Sequence, residues 1–194
     1  MANRVIVIGA GASGMMAALT AAENGAQVML FEKNDRPGKK ILISGKGRCN
    51  VTTDKDTNEI INSFLHNGKF LYTALNSFSN QQVKYFFEEA GVPLKVERGE
   101  RVFPVSDQSK DIVNALRRKL EAAGVDLWLN APVKEVLFAD GRACGVMLPN
   151  GRKIEADCVI VATGVRLIRG QALPGTDIIL HGKQGIISFL CVRH

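Results

Sequence analysis

The sequence predicts an α/β fold wound around a buried parallel sheet, and three observations carry that expectation. Residues 5–8 (VIVI) and 158–162 (CVIVA) are short apolar runs of mainly β-branched residues, as expected of strands covered on both faces. Between them lie alanine- and leucine-rich stretches that end at glycine, the residue that most readily closes a helix. The first of these follows a glycine-rich turn, and strand, turn, helix and next strand together span about 30 residues, the length of a β-α-β crossover.

Taken in order, residues 5–8 form the first strand, residues 9–14 (GAGASG) the turn, and the helix continues to Asn24, with Gly25 as terminator. Residues 27–31 form the second strand, which ends at Glu32. Residues 33–58 read mainly as ordered loop. Helices are then expected over 59–65, 69–77 and 81–90, the last preceded by Ser79 and Gln82 in capping-box spacing. A helix over 106–123 leads through Gly124 into a strand at 126–129. Strands at 133–138, 143–148 and 152–156 are joined by Asp140-Gly141 and Asn150-Gly151, both strong hairpin signals, and make a β-meander. Residues 158–162 then run into Thr163-Gly164.

Composition excludes several classes. With 194 residues, 46% hydrophobic and 23% charged, the chain can bury a core without disulfides or metals. Cys49, Cys144, Cys158 and Cys191 show no C-x-x-C spacing, which argues against a zinc site and a secreted disulfide framework. No apolar run has the length of a membrane span or the form of a signal peptide, so a cytosolic protein without a membrane partner is expected. The net charge of +6 invites a nucleic-acid reading. However, the last 30 residues hold four of the 25 Lys and Arg but one of the 19 Asp and Glu, so half the basic excess sits in one short tail.

The G-x-G-x-x-G at Gly9, Gly11 and Gly14 carries the clearest chemistry. The first glycine permits the tight turn, the second lets backbone amides approach a pyrophosphate, and the third lets helix and sheet pack closely. The pyrophosphate then meets unpaired N–H groups at a helix N-terminus. Glu32, 18 residues past Gly14, is placed to accept hydrogen bonds from a ribose diol. This motif serves NAD and FAD alike.

Residues 38–50 (GKKILISGKGRCN) form the second motif. Ile41, Leu42 and Ile43 read as an apolar anchor, while Ser44, Gly45 and Gly47 bring backbone N–H groups toward a ligand. Lys39, Lys40 and Arg48 supply positive charge near its phosphates or near an electron-rich ring. The block resembles the signature G-[RK]-K-[LI]-L-[IA]-S-G-x-G-R-C-N of a family of bacterial two-dinucleotide-fold flavoproteins, the aminoacetone-oxidase-family FAD-binding enzymes, which include the 3-dehydro-bile-acid reductases. The likeness covers residues 1–164, since the first glycine motif, this block and the later A-T-G fall in the family's order; Lys46 stands where the family commonly has glycine.

The resemblance implies a Rossmann-type FAD-binding domain and a flavin-dependent oxidoreductase, with FAD as cofactor and NAD(P)H as a possible electron donor. Carried over by position, Gly9, Ala10, Gly11, Ser13 and Gly14 hold the pyrophosphate, with Glu32 on the adenosine ribose and Lys33 beside it. Lys39, Lys40, Ser44, Gly45, Arg48, Cys49 and Asn50 line the path toward the flavin. Val133 offers backbone contacts to adenine, and Ala162, Thr163 and Gly164 close over the cofactor. Cys49 reads equally as a packed small residue or a redox thiol. Arg101, within residues 98–104, reads equally as a group facing flavin or substrate and as a solvent-facing turn residue between edge strands. His66, His181 and His194 have no acid or nucleophile beside them, and no catalytic acid or base stands out.

After Gly164 the family continues with a second glycine and then S-Y-P-x-T-G-S-T-G-D-G-Y, and this chain departs. Codons permitted for Arg166 to Gly175, read from the third base, spell S-Y-P-G-T-G-S-T-G. The expectation is therefore a one-base deletion near the Gly164 codon. Residues 165–194 are then a non-native tail, and residues 1–164 the N-terminal part of a larger flavoprotein, a fold incomplete at its C-terminus. A short relative with its own C-terminus is the competing reading. Three functions follow from the resemblance: reduction of an unsaturated small molecule, reduction of a uridine in ribosomal RNA, which alone brings a nucleic-acid partner, and a truncated product without activity.

Overall fold

The computed structural model describes residues 2–164 and the backbone of residues 190–191. In chain order the elements are β1 (Arg4–Ile8), α1 (Ala12–Glu23), β2 (Gln27–Phe31), α2 (Lys39–Ile43), β3 (Thr52–Thr53), α3 (Thr57–Asn62), α4 (Tyr72–Ser77), α5 (Asn80–Glu89), β4 (Leu94–Glu97), β5 (Arg101–Pro104), α6 (Ser109–Ala122), β6 (Asp126–Trp128), β7 (Glu135–Ala139), β8 (Arg142–Met147), β9 (Lys153–Glu155), β10 (Cys158–Val161) and β11 (Leu190–Cys191). Apart from β11, the expected tail, with His181 and His194, lies outside the described residues. The chain divides into two compact units, Met1–Lys39 with Leu116–His194, and Lys40–Ala115.

The first unit holds the sheet β11-β10-β1-β2-β6, in which β10, β1, β2 and β6 are parallel. β11 pairs antiparallel with β10. β1 lies between two parallel neighbours, and Ile6 and Val7, which point to opposite faces, are both fully buried. That is why its sequence is a continuous apolar run and not an alternating one. On one face α1 packs with Met15, Ala18 and Leu19 buried. On the other, Ile6, Phe31 and Val159 form one core with Val146, Leu148 and Ala156 of the β7–β9 meander. Each such large side chain contributes about 1.5–3 kcal/mol relative to an exposed one. The α/β fold with a parallel sheet and β-meander is thus as the sequence predicts.

The two hairpin turns differ in kind. Asp140 (φ 50°) and Gly141 (φ 76°) are both left-handed, the two-residue turn that matches strand twist. At the second, Gly151 N–H donates to the Leu148 carbonyl at 3.0 Å and only Gly151 is left-handed (φ 84°). Pro149 fixes φ near −65°, so the chain turns one residue earlier and Gly151 forms the bulge.

The second unit carries the antiparallel sheet β3-β5-β4. Its middle strand, β5, buries Val102, Phe103 and Pro104. Residues 98–100 form a turn, as one of the two readings of residues 98–104 has it, but the strand that follows, β5, is central and not an edge. α3 starts at Thr57, two residues before the expected position, because Asp56 and Glu59 form a capping box. The expected Ser79–Gln82 box caps α5. Asn80 Nδ2 donates to the Thr53 and Lys55 carbonyls, both at 2.7 Å, and ties α5 to β3. Among the described residues no helix is long and apolar enough to cross a membrane.

Candidate functional site

The three glycines of the first motif have three different reasons to be glycine. A Cβ on Gly9, whose φ is 100°, would lie 2.7 Å from the Ala162 carbonyl oxygen. One on Gly14 would lie 1.8 Å from the Gly9 oxygen and 3.3 Å from Ala162 Cβ. Both glycines answer to packing inside the protein. Gly11 does not, for a Cβ there would meet nothing within 4 Å among the described residues, and its φ of −78° suits any residue. The space a Cβ would take at Gly11 lies at the start of α1. No side chain caps that helix and its first turn holds no acidic residue, so its leading N–H groups, Ser13 and Gly14 included, have no intrahelical partner. Free N–H groups, the positive end of the helix dipole and room for close approach fit a pyrophosphate.

Ala10, Glu32, Ala162 and Thr163 converge on this turn. Ala162 N–H donates to the Ile8 carbonyl at 2.8 Å, and Ala162 and Thr163 both lie against Gly9. Ala10 is fully buried and pinned twice, its N–H donating to Glu32 Oε2 at 2.9 Å and its carbonyl accepting from Gly38 N–H at 2.8 Å. Glu32 itself is 8% exposed. Its other carboxylate oxygen accepts from the Asn34 backbone N–H at 3.0 Å and from Asn34 Nδ2. Ala131 N–H donates to the Glu32 carbonyl at 2.9 Å, which brings the chain leading to Val133 alongside. Val133 is half-buried against the meander core and has no backbone partner among the described residues. Lys39 pairs with Asp35 at 2.9 Å, and Lys33 is exposed. Lys39 and Arg36 hold the Asp35 carboxyl at about 2, well below the usual carboxylate range.

Residues 40–50 belong to the second unit, where the basic block is folded rather than looped. Ile41 is buried but Ile43 is 77% exposed, so only part of the expected apolar anchor is inserted. Lys40 is exposed. Ser44 Oγ donates to the Ile41 carbonyl at 2.8 Å and ends α2. A Cβ on Gly45, whose φ is 55°, would lie 2.9 Å from Asn50 N and 3.1 Å from Phe103 Cε1. Asn50, with its amide nitrogen facing inward, donates to the Thr52 carbonyl at 3.0 Å. Cys49 is buried, and burial pushes its thiol up while Ser44 opposes the shift. Arg48 donates to both Glu97 oxygens at 2.9 Å, to Asp107 Oδ1 at 3.1 Å, and lies 4.1 Å over the Phe103 ring. Lys95 Nζ donates to Asp107 Oδ2 at 2.7 Å and closes the network. The Arg48 guanidinium holds Glu97 below the usual carboxylate range, and Lys95 does the same for Asp107. Arg101 lies 5.7 Å from the Phe103 ring centre and its Nε donates to the Arg98 carbonyl at 3.2 Å.

Sequence reasoning passed over Asn34, Glu97, Asp107 and Phe103. Asn34 carried a local signal, since an asparagine two residues beyond an acid can turn its amide back on it. The other three are distant in sequence from Arg48 and carried none.

The chain can be set beside known proteins. It is 32% identical over 189 residues to the 3-dehydro-bile acid delta(4,6)-reductase of Clostridium scindens, a match covering 94% of this chain and 44% of that protein. It is 29% identical over 181 residues to the ribosomal RNA dihydrouridine synthase of Haemophilus influenzae, covering 92% of this chain and 43% of that one. The open conformation of a flavocytochrome c3 fumarate reductase superposes with a TM-score of 0.67 at 27% identity, over 84% of this chain and 34% of that one. The chain thus spans less than half the length of the curated relatives it matches. The HI0933-like protein Rossmann domain matches residues 3–176, and with the glycine turn, the uncapped helix and the buried acid in place, the chain belongs to that family.

Proposed function

We propose that this chain carries the cofactor-binding part of a flavin-dependent oxidoreductase. The observation that carries the reading is Gly11, a glycine that no contact among the described residues requires, at the mouth of an uncapped helix. In this reading the N–H groups at the start of α1, with Gly9, Ala10, Gly11, Ser13 and Gly14, hold the FAD pyrophosphate. Glu32 accepts hydrogen bonds from the adenosine ribose, Lys33 adds charge beside it, and the Val133 backbone meets adenine. Ala162, Thr163 and Gly164 cover the turn. Lys39, Lys40, Ser44, Gly45, Cys49 and Asn50, all within the basic block, are assigned toward the flavin by the family resemblance of that block. Arg48 acts there through the segment it braces, because its guanidinium is already paired with Glu97 and Asp107. When bound, FAD supplies the hydride-accepting and hydride-donating ring, while the protein binds and orients it.

NAD(P)H as electron donor and an unsaturated small molecule as substrate complete the reading, favoured by the relative that is a 3-dehydro-bile acid delta(4,6)-reductase. A second reading, reduction of a uridine in ribosomal RNA, is favoured by the relative that is a ribosomal RNA dihydrouridine synthase. Binding to ribosomal RNA that vanishes at modest salt distinguishes the second from the first. We also infer that residues 165–194 are read from a shifted frame; the encoding DNA in the alternative frame should continue the family's sequence, and absence of such an open frame overturns this. The central test is to purify the 194-residue chain beside its frame-restored form and record absorbance spectra. Flavin co-eluting with the restored form is expected, and a restored form that stays colourless with added FAD overturns the cofactor reading.

A further inference from the structure

The carboxylate of Glu32 is oriented by one neighbour outside the motif. Asn34 Nδ2 donates to Glu32 Oε1, while Lys39 Nζ donates to Asn34 Oδ1 at 3.4 Å. An ammonium only donates and a carboxylate only accepts, so the two together fix which end of the Asn34 amide faces which partner. The backbone holds the same segment: Asn34 N–H donates to Glu32 Oε1 at 3.0 Å, and Asn130 N–H donates to the Asn34 carbonyl at 2.9 Å. With Oε1 taken by Asn34, Oε2 is directed to the Ala10 N–H inside the glycine turn.

We propose that Asn34 is a positioning residue, which holds the Glu32 carboxylate in the rotamer that both latches Ala10 and leaves an acceptor position for a ribose hydroxyl. Its consequence for affinity rests on the cofactor reading above; its consequence for Ala10 does not. A carboxylate accepts at about four positions, and the protein fills three, two by Asn34 and one by Ala10. Charged groups near the pair are Lys33, between them in the chain and exposed, Lys39 and Asp35, the last also held by Arg36. The packed segments 9–14 and 128–131 contain no ionisable side chain.

The test is Asn34→Asp, which keeps the shape and removes the donor. Two adjacent carboxylates cannot both ionise freely, so at low pH the pair takes up one proton and an O–H donor returns to the place of Nδ2. Amide exchange at Ala10 is followed by NMR in the cofactor-free chain. At pH 8 its protection should fall about tenfold or more in Asn34→Asp relative to the unmodified chain, and recover near pH 5. Asn34→Ala should lose protection at both pH values. Unchanged protection in Asn34→Asp at pH 8, or a loss that does not reverse on acidification, overturns the proposal. FAD titration of the unmodified frame-restored protein is the second arm. Where it binds, affinity in Asn34→Asp should follow the Ala10 profile; where it does not, the cofactor reading fails while the Ala10 result stands on its own.

Discussion

The six residues of the first glycine turn, Gly9 to Gly14, include no charged side chain, whereas residues 38–50 carry Lys39, Lys40, Lys46 and Arg48. Counted by charge, the second stretch is the better anion site. Geometry reverses that order. In the proposed reading the turn meets an anion with backbone N–H groups and a helix dipole fixed in place by folding, while the strongest cation of the basic block, Arg48, is already paired with Glu97 and Asp107. Backbone donors need no counter-charge and cost no side-chain entropy on binding, so an uncharged loop can outperform a basic one.

The sharpest way to break this comparison is within the turn itself. Gly14→Ala forces a Cβ to 1.8 Å from a backbone oxygen and should lower unfolding free energy by about 3 kcal/mol or more in urea titration. Gly11→Ala should leave stability within about 1 kcal/mol and weaken FAD binding by at least about tenfold. If Gly11→Ala binds FAD as the parent does, the open space at Gly11 is not a ligand cradle.

Arg48→Met probes the other side. It leaves Glu97 and Asp107 with Lys95 alone among the described residues, so the urea midpoint should fall at pH 7. The pH dependence has a definite sign. Asp35, Asp54, Asp56, Glu97 and Asp107 are all held below their ordinary values, so their stabilisation is present above those values and is lost as pH falls through the folded-state values, from about pH 5 downward. In Arg48→Met this acid-side loss should be shallower, because Glu97 and Asp107 have less depression to lose. An acid limb identical to the parent's would show that Arg48 does not set them.

The smallest expected effect concerns Lys46, a non-glycine residue at φ 59°. Left-handed backbone costs about 1–2 kcal/mol, while glycine in the unfolded chain returns about 0.5–1 kcal/mol of that. Lys46→Gly should therefore raise stability by about 0.5 kcal/mol and Lys46→Val lower it by about 1 kcal/mol, both measured by thermal unfolding.

How far the sequence speaks depends on how local the cause is. β1, α1 and β2 are legible because a buried run, an uncapped glycine turn and a terminating glycine each act over a few residues. The capping box at Ser79 was legible for the same reason, and the one at Asp56 was equally local though hidden in a stretch that reads as loop. The Arg48 network was not legible, since its partners lie 49 and 59 residues away and charge alone does not say what it will meet. Ile43 misleads similarly, being apolar in sequence and exposed in the structure.

By itself, the sequence determined the parallel α/β architecture, the meander, and a glycine turn able to take a pyrophosphate, because period, turn chemistry and the conformational freedom of glycine are properties of short segments. Only the tertiary structure decided which glycine faces open space among the described residues and which are held by Ala162, and that Glu32 is latched to Ala10 and Asn34. It alone showed that the guanidinium of Arg48 is spent on Glu97 and Asp107. These are contacts between residues far apart in the chain or facing in directions that no local pattern encodes.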